Sequence, residues 1–120
     1  MSDPVVLKIY RGQRLISVKQ FTQDQVVVGR KSESNLCLDD ENVSPLHAVI
    51  EKRGENYFLS DLGSESGIAI EGVRVLESEI QNGEAFTVGP YSIRFYIGVP
   101  TPPIKPDFQK YEENVAEYRS

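Results

Sequence analysis

Residues 44–67 have the sequence SPLHAVIEKRGENYFLSDLGSESG and carry the strongest fold signals in the chain. Two runs rich in β-forming side chains, residues 48–52 and 57–61, flank the turn sequence RGEN, which predicts a β-hairpin. Ser44 and His47 lie just before the hairpin, and a loop containing glycines follows it. The sequence therefore places a serine, a histidine and a glycine-containing loop at the ends of neighbouring strands.

The same β periodicity extends through the first hundred residues or so. Val5, Leu7 and Ile9 alternate with side chains that face the other way, and a β-branched run ends in Gly29-Arg30. Short strands separated by turn signals, with no helical periodicity, predict an all-β sandwich. Cys37 is expected to be a small core residue on a very short strand. Turn sequences predict three further hairpins, formed by residues 5–10 with 15–21, 68–70 with 73–75, and 84–88 with 92–97. The predicted strands are residues 5–10, 15–21, 25–28, 36–38, 48–52, 57–61, 68–70, 73–75, 84–88 and 92–97.

Composition excludes several classes of function. The chain has 120 residues and a formal net charge of -5, whereas a nucleic-acid module needs a basic face. One histidine and one cysteine leave no cluster of metal ligands, so we predict neither a metal nor another cofactor. No window approaches the roughly 20 apolar residues that span a bilayer. We therefore expect a cytoplasmic segment that contacts neither membrane nor nucleic acid.

The composition changes near Val99. Residues 1–99 are predicted to form the sandwich, and residues 100–106, which contain four of the seven prolines, an extended linker. Residues 107–120 carry an apolar stripe at helical spacing, which predicts a short amphipathic helix. This helix either packs back on the sandwich or frays in solution, or it serves as a docking or self-association segment. It is also expected to lead into further regions of a longer protein. The stripe consists of Phe108, Tyr111, Val115 and Tyr118.

The motifs in combination resemble the forkhead-associated (FHA) domain family over about residues 5–98. The resemblance rests on Gly29-Arg30, on Ser44 with His47 three positions later, and on the strand and loop of residues 59–67. It implies a β-sandwich of about eleven strands. It also implies a module that binds phosphothreonine in a protein modified by a Ser/Thr kinase.

The resemblance implies roles for individual residues. Arg30 matches the arginine that pairs with the phosphate, and Ser44 matches the serine whose hydroxyl also contacts it. A phosphate bound at a protein surface needs such charged and hydroxyl donors together with backbone N–H groups. Lys31, Ser64 and Ser66 are further candidates for contacts with the phosphopeptide. The expected structural residues are Gly29, His47 and Gly67.

The sequence also departs from the family pattern. Ser66 and Ile68 replace the Asn and Thr of the Asn-Gly-Thr motif, and Glu65 stands where some members have a threonine that contacts phosphate. Pro45 has no backbone N–H to offer a ligand. A carboxylate about 6 Å from a phosphate opposes binding by roughly 0.7–3 kcal/mol, which is comparable to what one charged hydrogen bond contributes.

Three functions remain open from the sequence. The first is a phosphothreonine-binding module, and the second is an interaction module that binds its partner without a phosphate. The third is an enzyme in which Ser44 and His47 act with Asp39 or Asp40. The serine and histidine are only three residues apart on one loop, and no oxyanion-hole motif accompanies them. We therefore predict that the chain has no catalytic residues.

Overall fold

A computed structural model describes residues 3–98 of the chain as eleven strands. The predicted linker at 100–106 and the predicted helix at 107–120 lie outside the described residues. No helix in the described part has the length and apolar character needed to cross a membrane. The strands are β1 (Val5–Arg11), β2 (Arg14–Phe21), β3 (Gln25–Gly29), β4 (Leu36–Cys37), β5 (Ala48–Arg53), β6 (Asn56–Asp61), β7 (Ile68–Ile70), β8 (Val73–Val75), β9 (Glu77–Ile80), β10 (Ala85–Val88) and β11 (Tyr91–Ile97).

The strands form two sheets. The six-stranded sheet has the order β2-β1-β11-β10-β7-β8, and the five-stranded sheet has the order β4-β3-β5-β6-β9. Neighbouring strands are antiparallel except for β3 and β4, which pair in parallel with Val28 beside Leu36. The four hairpins predicted from turn sequences, β1–β2, β5–β6, β7–β8 and β10–β11, are confirmed.

The core lies between the sheets and follows from the period-two pattern. Leu7 and Ile9 on β1 are fully buried, and they lie opposite Phe95 and Ile93 on β11. The five-stranded sheet contributes side chains from alternate positions in the same way. They include Val26, Val28, Ala48, Ile50, Tyr57, Leu59 and Ile80.

Two details differ from expectation. The prediction that Cys37 is a core residue is wrong, because its side chain is exposed. Leu36 and Leu38 on either side of it are buried, so the residue between them must face outward.

Strand β9 carries little apolar content apart from Ile80 and was not predicted. It forms because its backbone pairs with β6.

Candidate functional site

Three loops meet at one end of the sandwich. They follow β3, precede β5 and follow β6. The backbone N–H of Arg30 donates to the carbonyl of Ser44 at 3.0 Å, and that of Lys31 donates to the carbonyl of Pro45 at 3.2 Å. The N–H of Leu62 donates to the carbonyl of His47 at 3.0 Å. Backbone hydrogen bonds thus fix the first loop to the second, and the second loop to the third.

Gly29 permits the first of these approaches. A Cβ atom at this position would lie 2.2 Å from the carbonyl oxygen of Pro45 and 2.9 Å from Oγ of Ser34. Any side chain at residue 29 would therefore separate Arg30 from the loop that carries Ser44. The predicted structural role of Gly29 has this steric basis.

His47 joins the second loop to the third from inside the protein. Its side chain is completely buried. Nδ1 accepts a hydrogen bond from the backbone N–H of Ser44 at 3.0 Å, so the proton resides on Nε2, which donates to the carbonyl of Gly67 at 2.8 Å. Neither ring nitrogen remains free to take a proton from the Ser44 hydroxyl, which argues against a serine nucleophile at this site.

The loop after β6 is held by its own side chains. Asp61 accepts from the N–H of Ser64 at 2.9 Å, and the Ser64 hydroxyl accepts from the N–H of Gly67 at 2.9 Å. Gly67 has a φ of +79°, which favours glycine, and a Cβ there would lie 2.5 Å from the guanidinium of Arg74. Arg74 therefore covers Gly67 from β8.

An open depression of about 380 Å³ lies where the first two loops meet the third. It is lined by both predicted phosphate-contacting residues, Arg30 and Ser44. Arg30 is exposed, and its guanidinium makes no hydrogen bond or ion pair within residues 3–98. The Ser44 hydroxyl accepts from the N–H of Glu65 at 3.0 Å, which leaves its own proton available for donation. The remaining lining residues are Glu41, Asn42, Val43, Pro45, Leu46, Gly63 and Glu65.

The other predicted binding residues lie around this depression and do not line it. Lys31 is exposed beside Arg30, where its backbone joins two loops. Ser64 is used to close its own loop. Ser66 directs its hydroxyl toward the carbonyl of Asn42 at 3.4 Å, a long contact. Arg30 and Ser44 therefore form the centre of the site.

Two carboxylates share the depression with Arg30. Glu41 and Glu65 are both exposed, and neither side chain has a hydrogen-bond or ion-pair partner in the described part of the chain. Asp40, nearby on the same loop, is already paired. The backbone N–H of Asn42 donates to it and Arg11 forms an ion pair with it, and these contacts lower the pKa of Asp40 below its usual value of 3.8 despite partial desolvation.

Sequence reasoning missed Glu41 and Arg74. Glu41 belongs to an acidic run whose sequence is typical of a solvated loop. Its position at the depression could not be predicted because it depends on the path of that loop. The position of Arg74 could have been predicted from the β7–β8 hairpin, in which Arg74 pairs with Ala69. Side chains two residues apart on a strand lie on the same face, so Arg74 lies on the face of Gly67. No group of residues within 3–98 is arranged to hold a metal ion.

Solved structures share this architecture. EmbR of Mycobacterium tuberculosis, determined in complex with a low-affinity phosphopeptide, superposes with a TM-score of 0.75 at 24% identity, over 83% of this chain and 26% of that chain. An FHA domain from an analysis of phosphothreonine-dependent FHA domain interactions superposes with a TM-score of 0.70 at 24% identity, over 81% of this chain and 99% of that chain. These similarities establish the fold.

The sequence comparison assigns the family. Residues 8–97 match the family model described as the cytoplasmic domain of an inner membrane component of the T3SS. The chain belongs to this family, and its fold is that of the FHA domain. The oxoglutarate dehydrogenase inhibitor of Corynebacterium jeikeium is 29% identical to this FHA domain over 93 residues. That match covers 78% of this chain and 65% of the inhibitor, so this chain spans just under two thirds of the relative's length.

Proposed function

We propose that this FHA domain is a protein-interaction module that binds a phosphothreonine-containing segment of a partner protein, with Arg30 and Ser44 as the phosphate contacts. The observation that carries the proposal is an exposed guanidinium without a partner in the described residues, beside a serine hydroxyl whose proton is free. Charge-assisted hydrogen bonds from such groups are strong contacts for a phosphate. The chemistry is binding alone, and we place the module in the cytoplasm, where kinases supply the modified partner.

The fold comparisons support the same function. EmbR, whose FHA fold this chain shares, was determined with a phosphopeptide, and the Corynebacterium relative is named as an inhibitor of another protein. The first description names a phosphopeptide as the ligand, and the second names inhibition as the role. By analogy, the partner of this domain is a substrate of a Ser/Thr kinase.

A phosphate-independent interaction is the second candidate. It is favoured by Glu41 and Glu65 at the depression and by Pro45, which offers a ligand no N–H. Self-association through residues 107–120 stays a prediction, which sedimentation of the chain with and without those residues would test.

Titration with a degenerate phosphothreonine peptide library and its unmodified twin separates the two candidates. We expect micromolar binding that requires the phosphate and falls at least about tenfold in Arg30→Ala, because one charged hydrogen bond contributes about 1.5–3 kcal/mol. Lys19→Ala is the matched control, because it removes an exposed positive charge from the edge strand β2. Equal binding of both libraries by the folded protein would contradict the proposal and support the second candidate.

A further inference from the structure

The depression that holds Arg30 also holds negative charge, and this charge is not used within the described protein. Glu41 and Glu65 line the same concavity as Arg30. Ion pairs occur elsewhere at this end of the sandwich, for example between Arg11 and Asp40 at 3.1 Å. Neither Glu41 nor Glu65 forms one, and Arg30 does not pair with either, among residues 3–98. The site thus presents one positive and two negative groups that are free to interact with a ligand.

A backbone hydrogen bond fixes the position of Glu65 in the depression. The N–H of Glu65 donates to the Ser44 hydroxyl at 3.0 Å, so the Glu65 backbone lies directly beside the proposed phosphate contact. Glu41 approaches from the loop before β5, three residues ahead of Ser44. A phosphate bound by Arg30 and Ser44 would therefore have carboxylates near it that repel it, unless the ligand also brings positive charge.

We propose that the ligand of this FHA domain is zwitterionic: a phosphothreonine with a lysine or arginine within two residues of it, the cation facing Glu41 and Glu65. This inference rests on the proposed function and names the class of peptide that the site selects. An extended peptide advances about 3.3 Å per residue, so a side chain one or two positions from the phosphothreonine can reach across a depression of this size. The cation neutralises the carboxylates that would otherwise oppose the phosphate.

The expected selectivity follows from Coulomb's law. At a charge separation of about 6 Å and effective dielectrics of 80 to 20, each cation–carboxylate pair changes the affinity by about threefold to a hundredfold. Both carboxylates are exposed, so we expect values toward the lower end, and the preference must shrink as salt is added.

The test uses three phosphothreonine peptides of one length that carry Lys, Gln or Glu at the two positions flanking the phosphothreonine. With the wild-type chain in low salt, the expected order of affinity is Lys, then Gln, then Glu, with at least about a threefold step each time. Glu65→Gln and Glu41→Gln should reduce these steps and strengthen binding of the Glu peptide. Glu55→Gln, which removes the same charge from the turn between β5 and β6, should keep the wild-type order.

The possible results distinguish a failure of the charge selectivity from a failure of the proposed phosphothreonine binding. Phosphate-dependent binding with equal affinity for the three peptides, or affinity steps that keep their full size in both depression variants, would overturn the charge selectivity and leave the proposed function standing. If none of the three phosphopeptides binds better than its unmodified twin, both proposals fail. A salt-sensitive preference for the Lys peptide that becomes smaller in Glu65→Gln and in Glu41→Gln, but not in Glu55→Gln, would support the inference.

Discussion

Replacing Gly29 with alanine should separate the two halves of the proposed phosphate site. The new Cβ would lie 2.2 Å from the carbonyl oxygen of Pro45, whereas ordinary contacts begin near 3.4 Å. The backbones must move apart by about 1 Å, a form of overpacking that costs about 1–3 kcal/mol. The same movement strains the two backbone hydrogen bonds that join Arg30 to Ser44 and Lys31 to Pro45, each contributing about 0.5–1.5 kcal/mol.

The free energy of unfolding of Gly29→Ala should therefore fall by about 2–6 kcal/mol, measured by urea denaturation, and its Tm by at least about 8 °C. Gly54→Ala is the control, since Gly54 has a φ of +65° but open space around its Cα. This control carries only the left-handed backbone cost of about 1–2 kcal/mol. A loss in Gly29→Ala that is smaller than the loss in Gly54→Ala would show that the contact with Pro45 has little effect on stability.

Three further predictions concern the loops around the depression. His47→Ala should lower the free energy of unfolding by about 3–5 kcal/mol, measured by urea denaturation, because it creates a cavity and leaves the N–H of Ser44 and the carbonyl of Gly67 without their buried partner. A loss below about 1 kcal/mol would show that His47 does not hold the two loops together. Gly67→Ala should cost about as much as Gly54→Ala, because both glycines have a positive φ and the new Cβ at residue 67 meets only the end of the exposed, flexible Arg74 side chain. A larger loss that disappears when Arg74→Ala is added would show instead that Arg74 is a fixed obstacle. The pKa of Asp40 is lowered in the folded state, so its ionised carboxylate stabilises the fold. This stabilisation is fully present above the usual pKa of an aspartate and is lost as the pH falls below that value. Asp40→Asn should therefore have a flatter stability profile between about pH 5 and pH 2, measured by thermal unfolding, and an unchanged slope would contradict this assignment.

Most of the fold could be predicted because it depends on local signals. Alternating apolar residues and glycine-containing turns specify each of the four hairpins, and the buried faces of β1 and β11 follow from the same alternation. Strand β9 could not be found in this way. Its side chains are mostly polar, and it becomes a strand only because β6 offers an edge with free hydrogen-bonding groups.

The centre of the site could be predicted, and its electrostatics could not. The resemblance to FHA domains implied Arg30 and Ser44 as candidate phosphate contacts, and both line the depression. Glu65 was recognised as a departure from the family pattern. Its place in the lining of the depression depends on the hydrogen bond that its backbone N–H donates to the Ser44 hydroxyl. Glu41 depends on the path of an irregular loop, which residue spacing does not specify. The error at Cys37 was avoidable, because its two buried leucine neighbours already fix its side chain on the outer face.

We propose that a phosphate binds between Arg30 and Ser44, and spectroscopic mapping of the ligand's position would test this. Backbone ¹H–¹⁵N spectra would be recorded while the tightest phosphothreonine peptide, and then its unmodified twin, is added to the chain. We expect the phosphopeptide to shift signals in residues 30–34, 41–47 and 62–67, and the twin not to shift them at the same concentration. Equal shifts with both peptides, or shifts confined to the sheet faces, would contradict it.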